Sequence, residues 1–323
     1  AGGGGAVADG TAAAGGGAYP DGMSYTGDGA YTGIRYDGAG TADAPEVVYD
    51  EDEHMYGIEP TTTQTTTTTT SRTATTTTLT LTTTWTPPSL YCFALMMAKG
   101  YEVDLIRMQL RKGVSLFQCD YWEVFSSEEV QLSPGPPVEL YSKSIGSMKC
   151  EVGGPFGCAL NTDVFVKAWK RIFEDQNYLS YGWTVKVDPD CVFFPSRLRT
   201  QVLTADPASN VYFNNCDQGL HGPIEVISGG GMRTLALGMA KTCLTDDKLK
   251  EEKKRYGEDV FLKHCLGLLK VNRVDNFRLL TEDVCFSKSL KWKGCVSGKA
   301  AFHPFKDVRS YERCLDQAAS HSR

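Results

Sequence analysis

The chain lacks long apolar stretches. None of its 323 residues lies in an uninterrupted run of 18 or more apolar residues. A helix needs about 20 such residues to cross the hydrocarbon core of a bilayer, so the sequence as given excludes a transmembrane helix. Because the first residue is Ala rather than Met, the sequence is compatible with a signal peptide or N-terminal membrane anchor that is missing here.

The chain also lacks the excess of basic charge that nucleic-acid-binding proteins carry. Its 33 Lys and Arg are outnumbered by 39 Asp and Glu, which gives a net charge of -6. The deficit lies in residues 1–89, where 11 acidic residues accompany only Arg35 and Arg72. The remainder is close to neutral, so we expect no nucleic-acid partner.

No two of the 11 cysteines are spaced C-x-x-C, which argues against a zinc ribbon or finger and against a thioredoxin-type motif. All 11 lie between Cys92 and Cys314, a high density for a reducing compartment. We expect disulfides, with at least one cysteine left over; reduced buried thiols are the alternative. The pairing stays open at this point.

Three regions differ in composition. Residues 1–60 are rich in Gly, Ala and Asp without apolar periodicity, and we expect a disordered acidic tail. Residues 61–89 are threonine-rich, with 18 Thr among the 24 residues from Thr61 to Thr84, which is typical of an O-glycosylated, mucin-like stalk or of an unmodified linker. Residues 90–323 form the folded domain. With the cysteine content, this predicts a protein of the secretory pathway, either in the Golgi lumen or secreted.

Residues 90–323 alternate between strand and helix patterns. The clearest helix follows Asn161, which is a favourable cap, and places Phe165, Trp169 and Ile172 on one face. The other predicted elements are strands over Leu90–Met97, Leu116–Phe125, Trp183–Val187, Val211–Phe213 and Ile224–Ile227, and helices over Tyr101–Lys112, Met232–Cys243 and Glu258–Leu269. The alternation predicts one α/β domain with a mostly parallel sheet.

Asp188-Pro189-Asp190 stands directly after the predicted strand that ends at Val187. Open α/β sheets bind ligands at the carboxyl ends of their strands. Carboxylate oxygens are hard ligands that suit Mg²⁺ or Mn²⁺. The motif therefore predicts a metal site, with an ordinary Asp-Pro turn as the alternative.

Ser228-Gly229-Gly230-Gly231 lies between another strand and a helix. Its glycines would allow a substrate to approach the backbone closely, and its amides could face an anion. A plain strand-to-helix turn explains the segment equally well. The phosphate-binding fingerprints of Rossmann dehydrogenases and P-loop enzymes are absent, which disfavours both classes.

Gly257-Glu258-Asp259 opens a helix, and His303 stands between aromatic residues near the end of the chain. Acids in a first helical turn are favoured by the helix dipole without any function. The functional interpretation makes one carboxylate a general base. His303 is a core or surface histidine unless a cation binds at Asp190, where an imidazole would complete a mixed shell that suits Mn²⁺.

Taken together, W-T-V-K-V-D-P-D at 183–190, S-G-G-G at 228–231, G-E-D-V-F at 257–261 and F-H-P at 302–304 resemble the ordered motifs of GT-A fold glycosyltransferases. The chain is most similar to the inverting β-1,3-galactosyltransferase and Fringe-like family. Four motifs in this order are more specific than any one of them.

The resemblance implies a GT-A fold: a Rossmann-like single domain with a mostly parallel central sheet that transfers sugars from nucleotide diphosphates. It implies that Mn²⁺ or Mg²⁺ joins the donor diphosphate to Asp188 and Asp190, with His303 as a further ligand. It also implies that Asp259 is the catalytic base. The other residues implied for the donor site are Ser228, Gly229, Gly230 and Glu258.

The predicted function is therefore a metal-dependent glycosyltransferase, specifically a hexosyltransferase. It would move a sugar from a nucleotide donor, expected to be a UDP-sugar, to a hydroxyl of a glycan or glycoprotein acceptor with inversion. The alternative is a catalytically inactive GT-A-like carbohydrate-binding or cell-surface protein on a mucin-like stalk, since a fold does not fix a function. A metal-dependent hydrolase is disfavoured because the sequence has neither H-x-H nor H-E-x-x-H.

Overall fold

The structure is a computed structural model that describes residues 62–70, 73–81, 87–135, 138–285 and 294–320. The predicted acidic tail, residues 1–60, lies outside these ranges. In the threonine-rich segment, strands β1 (Thr62–Thr70) and β2 (Thr73–Leu81) pair antiparallel. They belong to a compact unit that ends at Pro87, and the body of the protein begins at Pro88.

The body alternates strands and helices along the chain. Its strands are β3 (Leu90–Leu95), β4 (Tyr121–Ser126), β5 (Gln131–Pro134), β6 (Glu139–Tyr141), β7 (Lys143–Ser144), β8 (Val152–Gly153), β9 (Cys158–Ala159), β10 (Trp183–Val187), β11 (Val192–Phe193), β12 (Val211–Asn214), β13 (Ile224–Ser228), β14 (Asn272–Asp275), β15 (Leu280–Thr281) and β16 (Ala301–Phe302). Its helices are α1 (Tyr101–Lys112), α2 (Thr162–Asp175), α3 (Pro195–Val202), α4 (Gly229–Gly238), α5 (Asp247–Glu252), α6 (Glu258–Leu268) and α7 (Val308–Ser320).

Seven strands form the central sheet, in the spatial order β14-β12-β13-β10-β3-β4-β7. Four of the six pairings are parallel, and β13 runs antiparallel to both of its neighbours. The predicted α/β domain with a mostly parallel sheet is confirmed. Strands β10 and β3 lie near the middle of the sheet, so the loops that follow them are held by neighbours on both sides.

The sheet is buried on both faces. Leu90 and Cys92 of β3 join one apolar core with residues of α1 and α3, whereas Tyr91 and Phe93 join a second core with residues of α2, α4 and α6. Successive side chains of a strand point to opposite faces, so one short apolar run supplies both cores. This double burial explains why β3 is apolar throughout.

The predicted strand Leu116–Phe125 is wrong in its first part. Residues Ser115–Gln118 form a short 3-10 turn, and β4 begins only at Tyr121. A disulfide joins Cys119, just before β4, to Cys92 in the neighbouring strand. The apolar side chain of Leu116 is buried in the turn, so the apolar pattern alone resembled an extended strand.

Asn161 precedes α2 as predicted, but its side chain does not cap that helix. Its Oδ1 accepts a hydrogen bond from the backbone amide of Glu258 at 3.0 Å. Glu258 is the first residue of α6, and the first amides of a helix have no partner within it. Asn161 therefore satisfies the start of α6, a helix almost 100 residues away along the chain.

Disulfides are confirmed: eight cysteines of the body form four bonds, Cys92–Cys119, Cys216–Cys285, Cys243–Cys265 and Cys295–Cys314. Cys158 and Cys191 lie outside these bonds, which agrees with the expectation that at least one cysteine is left over. Among the residues that the structure describes, no helix has the length and apolar character needed to span a membrane.

Candidate metal and acid–base site

The turn after β10 brings two carboxylates to a histidine from the far end of the chain. The amide of Cys191 donates to the carbonyl of Asp188 at 3.0 Å, which closes the turn. One ligand atom each from Asp188, Asp190 and His303 lies within 4.8 Å of the other two. The structure thus brings together the three residues that the sequence predicted as metal ligands.

A small second sheet delivers His303 to this turn. Strand β11, which begins two residues after Asp190, pairs antiparallel with β16, and Val192 lies opposite Phe302. The amide of Phe305 then donates to the carbonyl of Asp190 at 2.9 Å. Backbone pairing on both sides of His303 therefore fixes its place beside the two carboxylates.

The three side chains fit a divalent cation. They are almost completely buried, and neither carboxylate oxygen of Asp188, nor Oδ1 of Asp190, nor Nε2 of His303 makes a hydrogen bond. The polar contacts of these atoms are the ion pairs of Asp188 with Lys186 and of Asp190 with His303. Burying polar atoms without hydrogen bonds costs about 1–3 kcal/mol each, and a divalent cation held by these three side chains would offset that cost. Carboxylate oxygens with one imidazole nitrogen suit Mn²⁺ and related divalent ions.

A second carboxylate orients the ring of His303. Nδ1 of His303 lies 2.9 Å from Oε1 of Glu282, which leaves Nε2 directed at Asp190, 3.2 Å from its Oδ1. Metal-binding histidines usually hydrogen-bond a carboxylate through their other nitrogen in this way. In the absence of a cation, burial would lower the pKa of His303, but Asp190 and Glu282 raise it to about 10.

Lys186 places a buried positive charge beside the same turn. Its Nζ donates to the carbonyl of Gly222 at 2.6 Å and to Glu258, and lies 3.0 Å from Oδ1 of Asp188 and 3.9 Å from Oε1 of Glu225. Burial would lower the pKa of Lys186, but the carboxylates of Asp188, Glu258 and Glu225 hold it well above its usual value. Lys186 is therefore a permanent cation.

Glu258 faces this lysine rather than an open cleft. Its side chain is 5% exposed, and burial raises its pKa to about 7 despite the bond to Lys186. The structure therefore places Glu258, which was predicted to bind the donor, in a buried ion pair with Lys186.

Asp259 is the accessible carboxylate of the site. Its side chain is 21% exposed, whereas those of Asp188 and Asp190 are 1% and 2% exposed. Oδ1 of Asp259 accepts a hydrogen bond from the amide of Val260 at 2.8 Å. Burial alone would raise the pKa of Asp259, but the bond and charge of His221 hold it below its ordinary value. Asp259 is thus ionised and within reach of solvent, as a general base requires.

Sequence reasoning missed His221 and Glu282, which connect Asp259 to His303 of the candidate metal site. Nδ1 of His221 lies 3.4 Å from Oδ2 of Asp259, and its Nε2 lies 2.6 Å from Oε2 of Glu282. Glu282 in turn contacts His303. His221 and Glu282 also lie near Cys285, but that sulfur is bonded to Cys216 and cannot act as a thiolate ligand.

Ser228, Gly229 and Gly230 lie at the other edge of the sheet. In the antiparallel β10–β13 pair, Val187 is opposite Ile224, whereas Ser228 is opposite Trp183. Four residue steps along a strand separate the two edges by roughly 13 Å. The structure therefore does not bring this segment to Asp188 and Asp190.

The local contacts of the segment correspond to the strand-to-helix turn. Oγ of Ser228 accepts from the amide of Gly231 at 3.0 Å, which caps α4. The amide of Gly229 donates to the carbonyl of Gly182 at 2.8 Å. A Cβ on Gly230 would lie 2.3 Å from two carbonyl oxygens, so glycine is needed there for packing.

No protein-family model and no curated protein matches the chain. Similar solved structures include a glycosyltransferase involved in the glycosylation of the major capsid of PBCV-1, at 8% identity and a TM-score of 0.36, covering 71% of this chain and 100% of that one. A second is the galactosyltransferase LgtC in complex with donor and acceptor sugar analogs, at 12% identity and a TM-score of 0.40; the match covers 71% of this chain and 95% of that one. An active-site mutant of LgtC matches at 11% identity and a TM-score of 0.40, with the same coverage of both chains. Because these sequence identities and TM-scores are low, the function has to be argued from the residues of the site.

Proposed function

We propose that the body of this protein is a metal-dependent glycosyltransferase that transfers a sugar from a nucleotide-diphosphate donor to an acceptor hydroxyl, with inversion. The observation that carries the proposal is the cluster of Asp188, Asp190 and His303, whose buried ligand atoms lie within 4.8 Å of one another at the carboxyl end of a central strand. The resemblance to the Fringe-like family and the order of its motifs support the same function.

The donor site is proposed from the chemistry of the cluster. Asp188, Asp190 and His303 would hold Mn²⁺, or Mg²⁺ in its place. When bound, the ion would neutralise the negative charge that develops on the leaving diphosphate. A UDP-sugar is the proposed donor.

Asp259 would perform the proton transfer. Its carboxylate accepts the proton of the acceptor hydroxyl while the hydroxyl oxygen forms a bond to the anomeric carbon. The bond between that carbon and the diphosphate oxygen breaks, and its electron pair leaves with the diphosphate. A single displacement of this kind inverts the anomeric centre.

The proposed acceptor is a glycan or glycoprotein in the secretory pathway. Four disulfides in the body support an oxidising compartment. The threonine-rich segment supports a stalk in the Golgi lumen or outside the cell.

One observation favours the alternative, a carbohydrate-binding protein without activity. Asp188 and Asp190 are almost fully buried, and the ammonium group of Lys186 already lies 3.0 Å from Asp188. In a protein that kept the fold without the activity, the charge of Lys186 would neutralise Asp188, and the site would not need space for a diphosphate.

The two functions are separated by measuring binding and transfer on the same samples. Thermal shift with UDP should require Mn²⁺, and Asp190→Ala should abolish the shift, whereas the exposed-carboxylate control Asp247→Asn should retain it. Asp259→Asn should keep donor binding and lower kcat by about 10²- to 10⁴-fold, the contribution of a general base. Unchanged UDP binding by Asp190→Ala would remove the metal site from the proposal, and sugar binding without transfer by the wild type would favour the alternative.

A further inference from the structure

His221 and Glu282 form a bridge that the proposed reaction does not use. The bridge runs from Oδ2 of Asp259 to His221 at 3.4 Å, from His221 to Glu282 at 2.6 Å and from Glu282 to His303 at 2.9 Å. We propose that His221 is a positioning residue for Asp259 and that Glu282 holds His221 and His303 at a fixed separation. The inference rests on the proposed function, because it assigns the residue that prepares the proposed base.

The bridge fixes the direction of the Asp259 carboxylate. The amide of Val260 holds Oδ1 at 2.8 Å, and His221 stands beside Oδ2. With both oxygens engaged, the carboxylate has one orientation, and its exposed side is available to an acceptor hydroxyl. A base must lie within hydrogen-bond reach of the proton it removes, so a fixed orientation has a direct effect on the rate.

The loop that carries His221 is itself held rigidly. The fully buried side chain of Asn215 accepts from the amide of His221 at 2.9 Å and donates to its carbonyl at 2.7 Å. The adjacent Cys216 forms a disulfide with Cys285, three residues after Glu282. The disulfide therefore ties the loop of His221 to the segment of Glu282, in addition to the contact between their own side chains.

The carboxylates around His221 favour its protonated form, and two cationic groups, Lys186 and His303, oppose it. Asp259 and Glu282 contact the ring; Glu258 lies across Gly222 together with Lys186, and His303 stands behind Glu282. Burial would lower the pKa of His221, but its two carboxylate partners raise it to about 9. The resulting imidazolium keeps Asp259 ionised, so that it is ready to accept a proton at neutral pH.

The test is a double-mutant cycle on the full chain with His221→Gln, Asp259→Asn and the combination. His221→Gln should lower kcat by about 10- to 100-fold, as is typical when a supporting residue is removed, and should leave the Kd for UDP with Mn²⁺ within twofold. The acid limb of its pH–rate profile should move to higher pH, because the pKa of Asp259 rises when its cationic partner is lost. In the Asp259→Asn background the second change should have no further effect.

The matched control is His264→Gln. His264 lies on the same helix as Asp259 and also pairs with a carboxylate: its Nδ1 is 2.5 Å from Oε2 of Glu252. This variant should leave kcat and the pH profile unchanged. Wild-type kcat in His221→Gln, or losses that simply multiply in the double variant, would overturn the inference.

A readout that does not depend on transfer separates this inference from the proposed function. The pKa of the His221 ring can be measured by NMR, with the resonance assigned by its loss in His221→Gln. Asp259→Asn should lower that pKa in a folded chain. If the wild type transfers no sugar and the pKa still falls, the proposed function fails and the positioning contact stands; a pKa that does not respond removes the positioning role.

Discussion

Replacement of Lys186 by Met tests the electrostatic design of the site most directly. Lys186→Met keeps the length of the side chain but removes the charge that faces Asp188, Glu225 and Glu258. Removing one member of a buried ion pair costs roughly 3–5 kcal/mol, because its partners remain buried and uncompensated. We therefore expect the free energy of unfolding to fall by about that amount in chelator, measured by urea denaturation.

The same change should strengthen metal binding. A unit charge about 4 Å away contributes about 4 kcal/mol at an effective dielectric constant of 20, and Nζ of Lys186 lies 3.0 Å from a predicted ligand oxygen. Even a third of that energy lowers the Kd for Mn²⁺ about tenfold, which isothermal titration calorimetry would detect.

Lys143 provides the matched control for both measurements. It is also buried, in the strand β7 at the edge of the sheet and three strands away from β10, and its Nζ contacts Glu123 at 2.6 Å and Asp175 at 2.5 Å. Lys143→Met should destabilise the fold similarly without changing the Kd for Mn²⁺. A loss below about 1 kcal/mol in Lys186→Met, or an unchanged Kd for Mn²⁺, would refute the reasoning.

Three further outcomes follow from packing, composition and charge. Gly230→Ala should lower the free energy of unfolding by about 3 kcal/mol or more in urea denaturation, because its Cβ would lie 2.3 Å from the carbonyl oxygens of Ala208 and Ser209; a neutral effect would mean that the backbone yields easily. A chain that begins at Pro88 should keep a cooperative melting transition by calorimetry, since the threonine-rich unit ends at Pro87; its loss would contradict the division. In chelator, the wild type should lose up to about 3 kcal/mol relative to His221→Gln as pH rises from about 6.5 to 9, because the raised pKa of His221, about 9, stabilises the fold only while the proton is bound. Parallel stability curves for the two proteins would exclude that contribution.

The parts of the site that could be predicted from sequence are those formed by consecutive residues. A D-x-D motif after an apolar strand and an acid pair at a helix start are read from consecutive residues, and Asp188 and Asp259 lie where those patterns indicate. That His303 lies beside Asp190 could be predicted only on the condition of a bound cation or through the resemblance, because the pairing of β11 with β16 joins segments more than 100 residues apart.

The parts that sequence reasoning missed depend on chain direction and on distant partners. Ser228 ends an apolar strand just as Val187 does, and in a parallel sheet both ends would meet at one edge. Because β13 runs antiparallel, its last residue lies at the opposite edge, and alternation of strands and helices does not reveal that reversal. His221 and Glu282 each stand alone in sequence, and their loops are brought together by the pairing of β12 with β14 and by the disulfide Cys216–Cys285.

The charge balance of the site predicts that a divalent cation stabilises the protein even without nucleotide. Six carboxylates meet one lysine and two histidines there, and they are Asp188, Asp190, Glu225, Glu258, Asp259 and Glu282. Buried excess negative charge is costly, and the raised pKa values of Glu225 and Glu258 reflect that cost. Mn²⁺ at 100 times its Kd should add about 2.7 kcal/mol to the free energy of unfolding. For a body of this size that corresponds to roughly 5–10 °C in Tm, measurable by calorimetry. Mg²⁺ should give a smaller shift, because the imidazole of His303 suits it less well. Equal Tm values with Mn²⁺ and with chelator would mean that Asp188, Asp190 and His303 do not form a cation site.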